Sequence, residues 1–289
     1  MQLTPNRPGV GRNIAVALLT FALALGVVYA GLCYLFWKYE PAFVFAQVER
    51  PRIAPDSAGL KDFAEVTVST EDGAKLFGWW RPPPPGHGAI VLLTGTGVTL
   101  SDYAGLLGDL AAQGFGVLGI DYRGNGGSPG TPSEIAWRED ARAAFDFVHG
   151  AAPEAKIAAF GESMGTGFAV GLALERPVVG VMLNSPYASV VRLFEQHGIR
   201  LAPRVPMPFR LMMTDPIDTE ALIGRLEVPV MMLHGTEDWA IPIAEARRLY
   251  AAAHQPKEMI EVVGAGHVQT WFGPTRDRAL AALTRWTAP

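Results

Sequence analysis

The sequence predicts an α/β fold in which a mostly parallel central sheet is flanked by helices. Two continuously apolar runs, at residues 89–93 and 228–233, are typical of strands that are buried on both faces. Helix-like segments at residues 101–113 and 133–149 alternate with such runs, as helices do in βαβ units. The length of 289 residues is enough for one sizeable domain of this kind and an appendage.

The N-terminal region predicts that appendage. Residues 1–13 are a short basic tail, and residues 14–37 contain no charged side chain. A helix of that length can cross a hydrocarbon core of ~30 Å, so we expect residues 14–37 to be a transmembrane anchor. A signal peptide cleaved after Ala30 is the alternative, although the apolar run continues beyond that site. A buried helix of the soluble domain fits less well, because the segment is apolar on all sides.

The rest of the chain divides into a connector and a domain. Residues 38–60 contain three prolines and predict a connector, and residues 61–289 predict the globular domain. Basic residues lie on both sides of the apolar segment, so the positive-inside rule does not fix its orientation. We expect a single-pass membrane protein whose domain lies on the exported side, periplasmic or extracellular.

Composition argues against several classes of function. The formal net charge of −4 provides no basic field for nucleic acid, so we expect no nucleic-acid partner. The single cysteine, Cys33, cannot form an intramolecular disulfide, and its apolar surroundings disfavour a cysteine nucleophile. No spacing of metal-ligating residues is present, and we expect neither a metal nor a cofactor.

The segment Gly161-x-Ser163-x-Gly165 predicts a nucleophile. It follows a short apolar, strand-like run and precedes a helix-like segment. Glycines on both sides of the serine allow the backbone to double back sharply, which exposes the hydroxyl at the end of the strand. Met164 then begins the helix, and its N–H could face a developing oxyanion. The alternative is a glycine-rich turn with an incidental serine.

Two later segments supply an acid and a base in the order that such a serine requires. Asp238 follows the apolar run at residues 228–233, with Glu237 as a rival acid, and His267 follows the strand-like run at residues 259–263. Since the carboxyl ends of parallel strands meet at one edge of a sheet, these side chains can converge. We expect Ser163, His267 and Asp238 to form a catalytic triad.

These motifs resemble those of the α/β-hydrolase superfamily of serine hydrolases. Residues 234–242 match the family's acid motif His-Gly-x-x-Asp-x-x-x-Pro, and the resemblance extends over about residues 60–287. The chain is most similar to the membrane-anchored, single-domain esterases, lipases and thioesterases. The resemblance implies the α/β-hydrolase fold, with a small cap at about residues 187–227.

The first loop of the oxyanion hole departs from the family pattern. Where the family usually has His-Gly, this chain has Thr94-Gly95. Because the oxyanion donor is a backbone N–H, the change need not abolish activity, although it bears on the hydrogen bonding that the family usually has within this loop. By position Thr96 supplies the donor together with Met164, and Gly97 is the next candidate.

Other polar residues are expected to have structural roles. Asp121 and Arg123 lie in a loop that resembles the family's Asp-x-Arg-Gly-x-Gly-x-Ser segment, and we expect them to brace it. His234 is expected to organise the loop that carries the acid. The helical periodicity of residues 133–149 predicts that Asp140 is exposed.

Three classes of function are compatible with these residues. The first is a serine hydrolase of carboxylic esters or thioesters that acts through an acyl-enzyme on lipid-like or acylated substrates. The second is a serine peptidase of the same fold, and the third is a non-catalytic membrane protein that kept the fold. The methionine-rich cap region would suit a flexible acyl chain, or it is ordinary core.

Overall fold

A computed structural model describes residues 9–48, 50–197, 207–214 and 216–289. Within these residues, eight strands form one sheet in the order β1-β2-β4-β3-β5-β6-β7-β8. The strands are β1 (Ala64–Ser69), β2 (Lys75–Arg81), β3 (Ala89–Leu93), β4 (Gly116–Ile120), β5 (Ile157–Glu162), β6 (Val181–Asn184), β7 (Val230–Gly235) and β8 (Lys257–Val262). Only the pairings of β1 with β2 and of β2 with β4 are antiparallel among these strands. The mostly parallel sheet predicted from the sequence is confirmed.

Helices cover both faces of this sheet. The α-helices in the described residues are α1 (Gly9–Val44), α2 (Ala104–Ala112), α3 (Glu134–Ala151), α4 (Gly165–Glu175), α5 (Val190–His197), α6 (Phe209–Met212), α7 (Thr219–Ile223), α8 (Ile243–Ala252) and α9 (Gly273–Thr287). Short 3₁₀ helices precede β1 and α2, at Pro55–Ala58 and Leu100–Tyr103.

The continuous hydrophobicity of the central strands follows from burial on both faces. In β3, Val91 and Leu93 belong to the apolar core that includes residues of α3 and α4. Ile90 and Leu92, which alternate with them, belong to the second core that includes residues of α2 and α9. Because successive strand residues point to opposite faces, a central strand with helices on both sides must be apolar throughout.

Helix α1 is longer than the predicted anchor, since it continues to Val44 rather than ending near residue 37. Its most apolar window has a mean hydropathy of 2.3 and is entirely exposed. The helix is therefore long and apolar enough to cross a membrane, and a signal sequence has the same length and composition. Phe36 is only 1% exposed, however, and its ring packs against Phe194 of α5 and Phe209 of α6.

The predicted cap at residues 187–227 contains α5, α6 and α7, and the part at residues 198–206 and 215 lies outside the described residues. Residues 1–8 of the predicted basic tail also lie outside them. Side chains of the methionine-rich part of the cap are buried in the core that also contains Phe36: Met207, Phe209, Met212 and Met213. This packing is that of ordinary core.

The predicted exposure of Asp140 is wrong. Its side chain is 0% exposed, and its carboxylate accepts hydrogen bonds from the backbone N–H (2.9 Å) and the Nε–H (2.8 Å) of Arg123. Arg123 also contacts Asp72 in the turn between β1 and β2. A polar residue in the helical pattern is buried here because an arginine from another segment pairs with it.

Candidate active site

Ser163 lies in a sharp turn between β5 and α4, where the sequence requires small neighbours. A Cβ at position 161 would lie 2.5 Å from the carbonyl oxygen of Gly165, and a Cβ at position 165 would lie 2.0 Å from that of Leu93. Ser163 itself has a φ of 51°, which is strained for a residue with a side chain. The turn therefore holds the serine at the carboxyl edge of the sheet, as a nucleophile elbow does.

The structure brings the three predicted triad residues together. His267 Nε2 lies 3.0 Å from Ser163 Oγ, and His267 Nδ1 lies 2.8 Å from Asp238 Oδ2. Because a carboxylate only accepts, Nδ1 carries the proton toward Asp238 and Nε2 is left to accept the serine proton. Such an arrangement can transfer a proton from the serine hydroxyl to the histidine.

The surroundings of Asp238 keep it ionised and immobile. The carboxylate accepts backbone hydrogen bonds from Ala240 (2.9 Å) and Ile241 (2.8 Å) in addition to the contact with His267. Burial alone would raise its pKa, but the hydrogen bonds with His267 and with the backbone of Ile241 hold the pKa below its ordinary value. The rival acid, Glu237, is exposed and does not take part in this hydrogen-bonded chain.

His234 lies beneath the same loop and is fully buried. Its Nε2 donates to the carbonyl oxygen of Ile241 at 2.9 Å, and it lies 3.5 Å from Asp238 Oδ2. Burial lowers the pKa of His234, which favours the neutral ring. These contacts support the expectation that His234 organises the acid loop.

The predicted oxyanion donors lie on either side of Ser163. Met164 follows it directly, and residues 94–97, here called the oxyanion loop, lie close enough that a Cβ at position 95 would be 3.3 Å from the serine Cβ. Within the described part of the chain, neither the backbone N–H of Met164 nor that of Thr96 has a hydrogen-bond acceptor. Both donors are therefore available to a ligand at the serine.

A buried tyrosine and a buried glutamate hold the oxyanion loop, and sequence reasoning missed both. The hydroxyl of Tyr103 accepts the backbone N–H of Gly95 at 2.9 Å and donates to the carboxylate of Glu162, the residue before the nucleophile. Burial raises the pKa of Glu162, although the hydrogen bonds from Tyr103 and Asn184 partly offset that rise. These contacts connect the oxyanion loop to the nucleophile elbow.

The loop that carries His267 is held from the end of β6. Asn184 donates from Nδ2 to Glu162 at 2.8 Å and accepts a short hydrogen bond from Thr270. Next to it, the hydroxyl of Ser185 accepts the backbone N–H of Val268 at 3.1 Å. The adjacent polar residues at a strand end were the signal in the sequence that could have identified this support.

The chain after α1 contacts the oxyanion loop directly. The carbonyl oxygen of Ala46 accepts the backbone N–H of Gly97 at 3.0 Å, and the hydroxyl of Thr96 lies 3.5 Å from the same oxygen. The ring of Phe45 packs edge-on against Trp137 of α3, with ring centroids 4.8 Å apart. Part of the predicted connector is therefore packed against the site.

No group of three or more His, Cys, Asp or Glu side chains that could hold a metal ion occurs among the described residues.

Comparison with known proteins finds relatives among hydrolases. A family model described as serine aminopeptidase, S33, matches residues 84–209. The uncharacterized protein Rv2307c of Mycobacterium tuberculosis is 34% identical over 247 residues, which cover 84% of this chain and 85% of that protein. The lysophosphatidylserine lipase ABHD12 of Macaca fascicularis is 29% identical over 156 residues, covering 50% of this chain and 39% of the lipase.

Solved structures share the fold. The esterase Pf2001 of Pyrococcus furiosus superimposes with a TM-score of 0.70 at 22% identity, covering 84% of this chain and 98% of the esterase. The chain belongs to the α/β-hydrolase superfamily and is a hydrolase of that superfamily.

Proposed function

We propose that this chain is a membrane-anchored serine hydrolase of carboxylic esters or thioesters, with Ser163, His267 and Asp238 as its triad. The observation that carries the proposal is the unbroken chain of hydrogen bonds from the serine hydroxyl through the histidine to the acid, 3.0 Å and 2.8 Å long. The strained turn at the serine and the ionised acid support the same roles.

In the proposed reaction, Ser163 Oγ attacks the acyl carbonyl while His267 Nε2 takes the serine proton. Asp238 holds the histidine in the tautomer that can accept it and stabilises the resulting imidazolium. The histidine then gives the proton to the departing alcohol or thiol, which leaves an acyl-enzyme. Water, deprotonated by the same histidine, releases the acid and regenerates the serine.

The negative charge of the tetrahedral intermediate falls between two backbone donors. We assign these to the N–H groups of Met164 and Thr96, because both lie beside the serine and neither has an acceptor among the described residues. Removing one such donor from an oxyanion hole typically costs about 10²–10³ in kcat.

Lipid-like or acylated esters are the proposed substrates. Residues 14–37 are the uncharged apolar part of α1, exposed except near Phe36, and would hold the domain at a bilayer, on the exported side in our proposal. One relative is named a lysophosphatidylserine lipase, which supports a lipid ester as the substrate class. The domain proper would then begin near residue 61, after a connector that is partly packed on it.

Replacement of the nucleophile tests this proposal. Ser163→Ala should lower hydrolysis of p-nitrophenyl butyrate by about 10⁴-fold or more and abolish labelling by a fluorophosphonate probe. The control is Ser57→Ala, a change at an exposed serine far along the chain from the site, which should retain both. Comparable turnover by folded Ser163→Ala protein would exclude Ser163 as nucleophile, and absence of labelling in the unmodified protein would favour a non-catalytic role.

Peptide hydrolysis is the second candidate, because the matching family model is described as a serine aminopeptidase. A panel that pairs p-nitrophenyl esters with aminoacyl p-nitroanilides separates the two candidates. Faster turnover of the anilides, with loss of that turnover in Ser163→Ala, would replace the ester hydrolase proposal by the peptidase.

A further inference from the structure

Exposed apolar side chains outside α1 are concentrated at one edge of the molecule. In the described part of the chain, the large hydrophobic residues that are exposed there are Ile53 (41%), Ile135 (55%), Leu211 (85%), Trp239 (80%), Val263 (89%) and Phe272 (55%). We call these residues, apart from Ile53, the apolar rim. Exposed apolar side chains indicate an interaction surface where they are neighbours rather than scattered over the molecule.

The sheet topology places the rim at the carboxyl edge of the parallel strands, where the candidate active site lies. Trp239 follows β7, and its ring centroid is 6.3 Å from that of His267. Val263 directly follows β8 and borders, together with Phe272, an open depression of about 390 Å³. These three residues therefore surround the loop that carries the histidine.

The two remaining rim residues, Ile135 and Leu211, lie near the end of α1. Ile135, in the first turn of α3, shares a cleft with Pro41 and Phe45 from the end of α1 and the chain after it. Leu211 lies in α6, whose Phe209 packs on Phe36 of α1. This part of the rim therefore adjoins the end of the apolar helix.

The distance from the site to the free part of α1 is short. Burial of the helix begins at Phe36 and the helix ends at Val44, which is about 12 Å of helix at 1.5 Å per residue. Two residues later, Ala46 contacts the oxyanion loop. A bilayer crossed by the exposed apolar part of α1 would therefore lie close to the carboxyl edge of the sheet.

We propose that the apolar rim is a second membrane contact, through which the carboxyl edge of the domain rests on a phospholipid bilayer with the active site opening toward it. The inference rests on the anchoring role proposed for α1. Tryptophan and aliphatic side chains suit the boundary between headgroups and acyl chains, where apolar residues insert by about 5–10 Å. An acyl chain could then enter the site from the bilayer without crossing bulk water.

Helix α3 offers a matched pair of positions for the test. Ile135 lies in its first turn within the rim, whereas Ala151 is its last residue, exposed at the opposite edge of the sheet. The two positions are about 24 Å apart along the helix. Neither has a role in the proposed chemistry.

Single cysteines are introduced as Ile135→Cys, Val263→Cys and Ala151→Cys in a Cys33→Ser background and labelled with the fluorophore NBD. The full chain is reconstituted in phosphatidylcholine vesicles with or without doxyl-labelled phosphatidylcholine, and zwitterionic lipid is chosen because the net charge is −4. We expect blue-shifted emission and severalfold stronger doxyl quenching at positions 135 and 263 than at position 151.

Three results would overturn the proposal. Equal quenching at all three positions, in protein that resists carbonate washing, refutes the rim contact and leaves the anchor intact. A blue shift without doxyl quenching means that a second copy or another protein covers the rim. Release of the full-length protein by carbonate refutes the anchor and the rim contact together. None of these results depends on hydrolysis, which the Ser163→Ala variant tests separately.

Discussion

Replacing Tyr103 by phenylalanine removes one oxygen from the support of the oxyanion loop, and it should slow the proposed hydrolysis without unfolding the domain. The hydroxyl accepts the N–H of Gly95 and donates to Glu162, so the variant leaves a buried backbone donor without its acceptor. The loop can satisfy that N–H again only by moving. Since position 95 packs against Ser163, any such movement changes the place where the oxyanion must bind.

The size of the effect follows from the hydrogen bond that is lost. A buried polar group left unpaired costs about 1–3 kcal/mol. If displacement of the loop raises the free energy of the transition state by this amount, kcat/KM falls by about 5- to 150-fold, since about 1.4 kcal/mol corresponds to a factor of ten. The loss should appear mainly in kcat, because the oxyanion forms only after the substrate has bound.

Steady-state kinetics with a soluble p-nitrophenyl ester, together with the melting temperature, measures this effect. Tyr122→Phe is a matched control, because Tyr122 is equally buried and its hydroxyl has no hydrogen-bond partner among the described residues. Tyr122→Phe should keep kcat, and Glu162→Gln should resemble Tyr103→Phe more than it resembles the control. Equal kcat values for Tyr103→Phe and Tyr122→Phe would refute the role assigned to the hydroxyl.

Three further predictions concern the acid, the chain after α1 and pH. Asp238→Asn should lower kcat by about 10³- to 10⁴-fold through the wrong histidine tautomer, whereas Glu237→Gln should have little effect, and the reverse result would move the acid to Glu237. Removal of residues 1–30 should preserve turnover of a soluble ester. Removal of residues 1–48 should lower it, because the oxyanion loop then loses its contact with the chain after α1. Equal rates for the two truncated proteins would contradict this. Burial raises the pKa of Asp121 from 3.8 to about 6, so between these values the folded protein keeps a proton that the unfolded chain has lost. The stability that this proton contributes is full below pH 3.8 and is lost as the pH rises through about 6. The melting temperature of Asp121→Asn should therefore fall less between about pH 4 and 8 than that of the unmodified protein, and parallel curves would refute the raised pKa.

The sequence could identify Ser163, Asp238 and His267 because each comes after a recognisable strand in a fixed order. Parallel strands bring their carboxyl ends to one edge, so the order along the chain is enough to predict that these side chains meet. Tyr103 and Glu162 could not be found in this way. Their hydrogen bonds join the 3₁₀ helix before α2 to the nucleophile elbow. These two segments are far apart in the sequence, and no motif indicates that they meet.

The C-terminal end of α1 could not be predicted from the sequence for a related reason. Charge at Lys38 and the proline at position 41 indicate the end of an apolar helix, and composition gives no sign of the surfaces on which the next residues pack. In the structure α1 continues past both, because Phe36 and Val44 are buried against the domain and tertiary packing offsets the cost of the proline. Helix propensity predicts where an isolated helix would end, whereas burial of its side chains against the domain determines where α1 ends in the protein.

That packing gives the end of α1 two roles in one segment. The exposed apolar part of the helix is long and apolar enough to cross a membrane, while the chain two residues beyond its end accepts a hydrogen bond from Gly97 in the oxyanion loop. This hydrogen bond ties the loop that contains the proposed donor Thr96 to the chain directly after the helix. Because Gly95 is held independently through Tyr103, the loop is held at both ends, by Tyr103 at Gly95 and by Ala46 at Gly97. The position of Thr96 should consequently depend on how a bilayer orients α1, so turnover of a soluble ester by the full chain should differ between vesicles and detergent. Protein that lacks residues 1–30 should turn over the ester equally in both, and equal rates for the full chain would contradict this coupling.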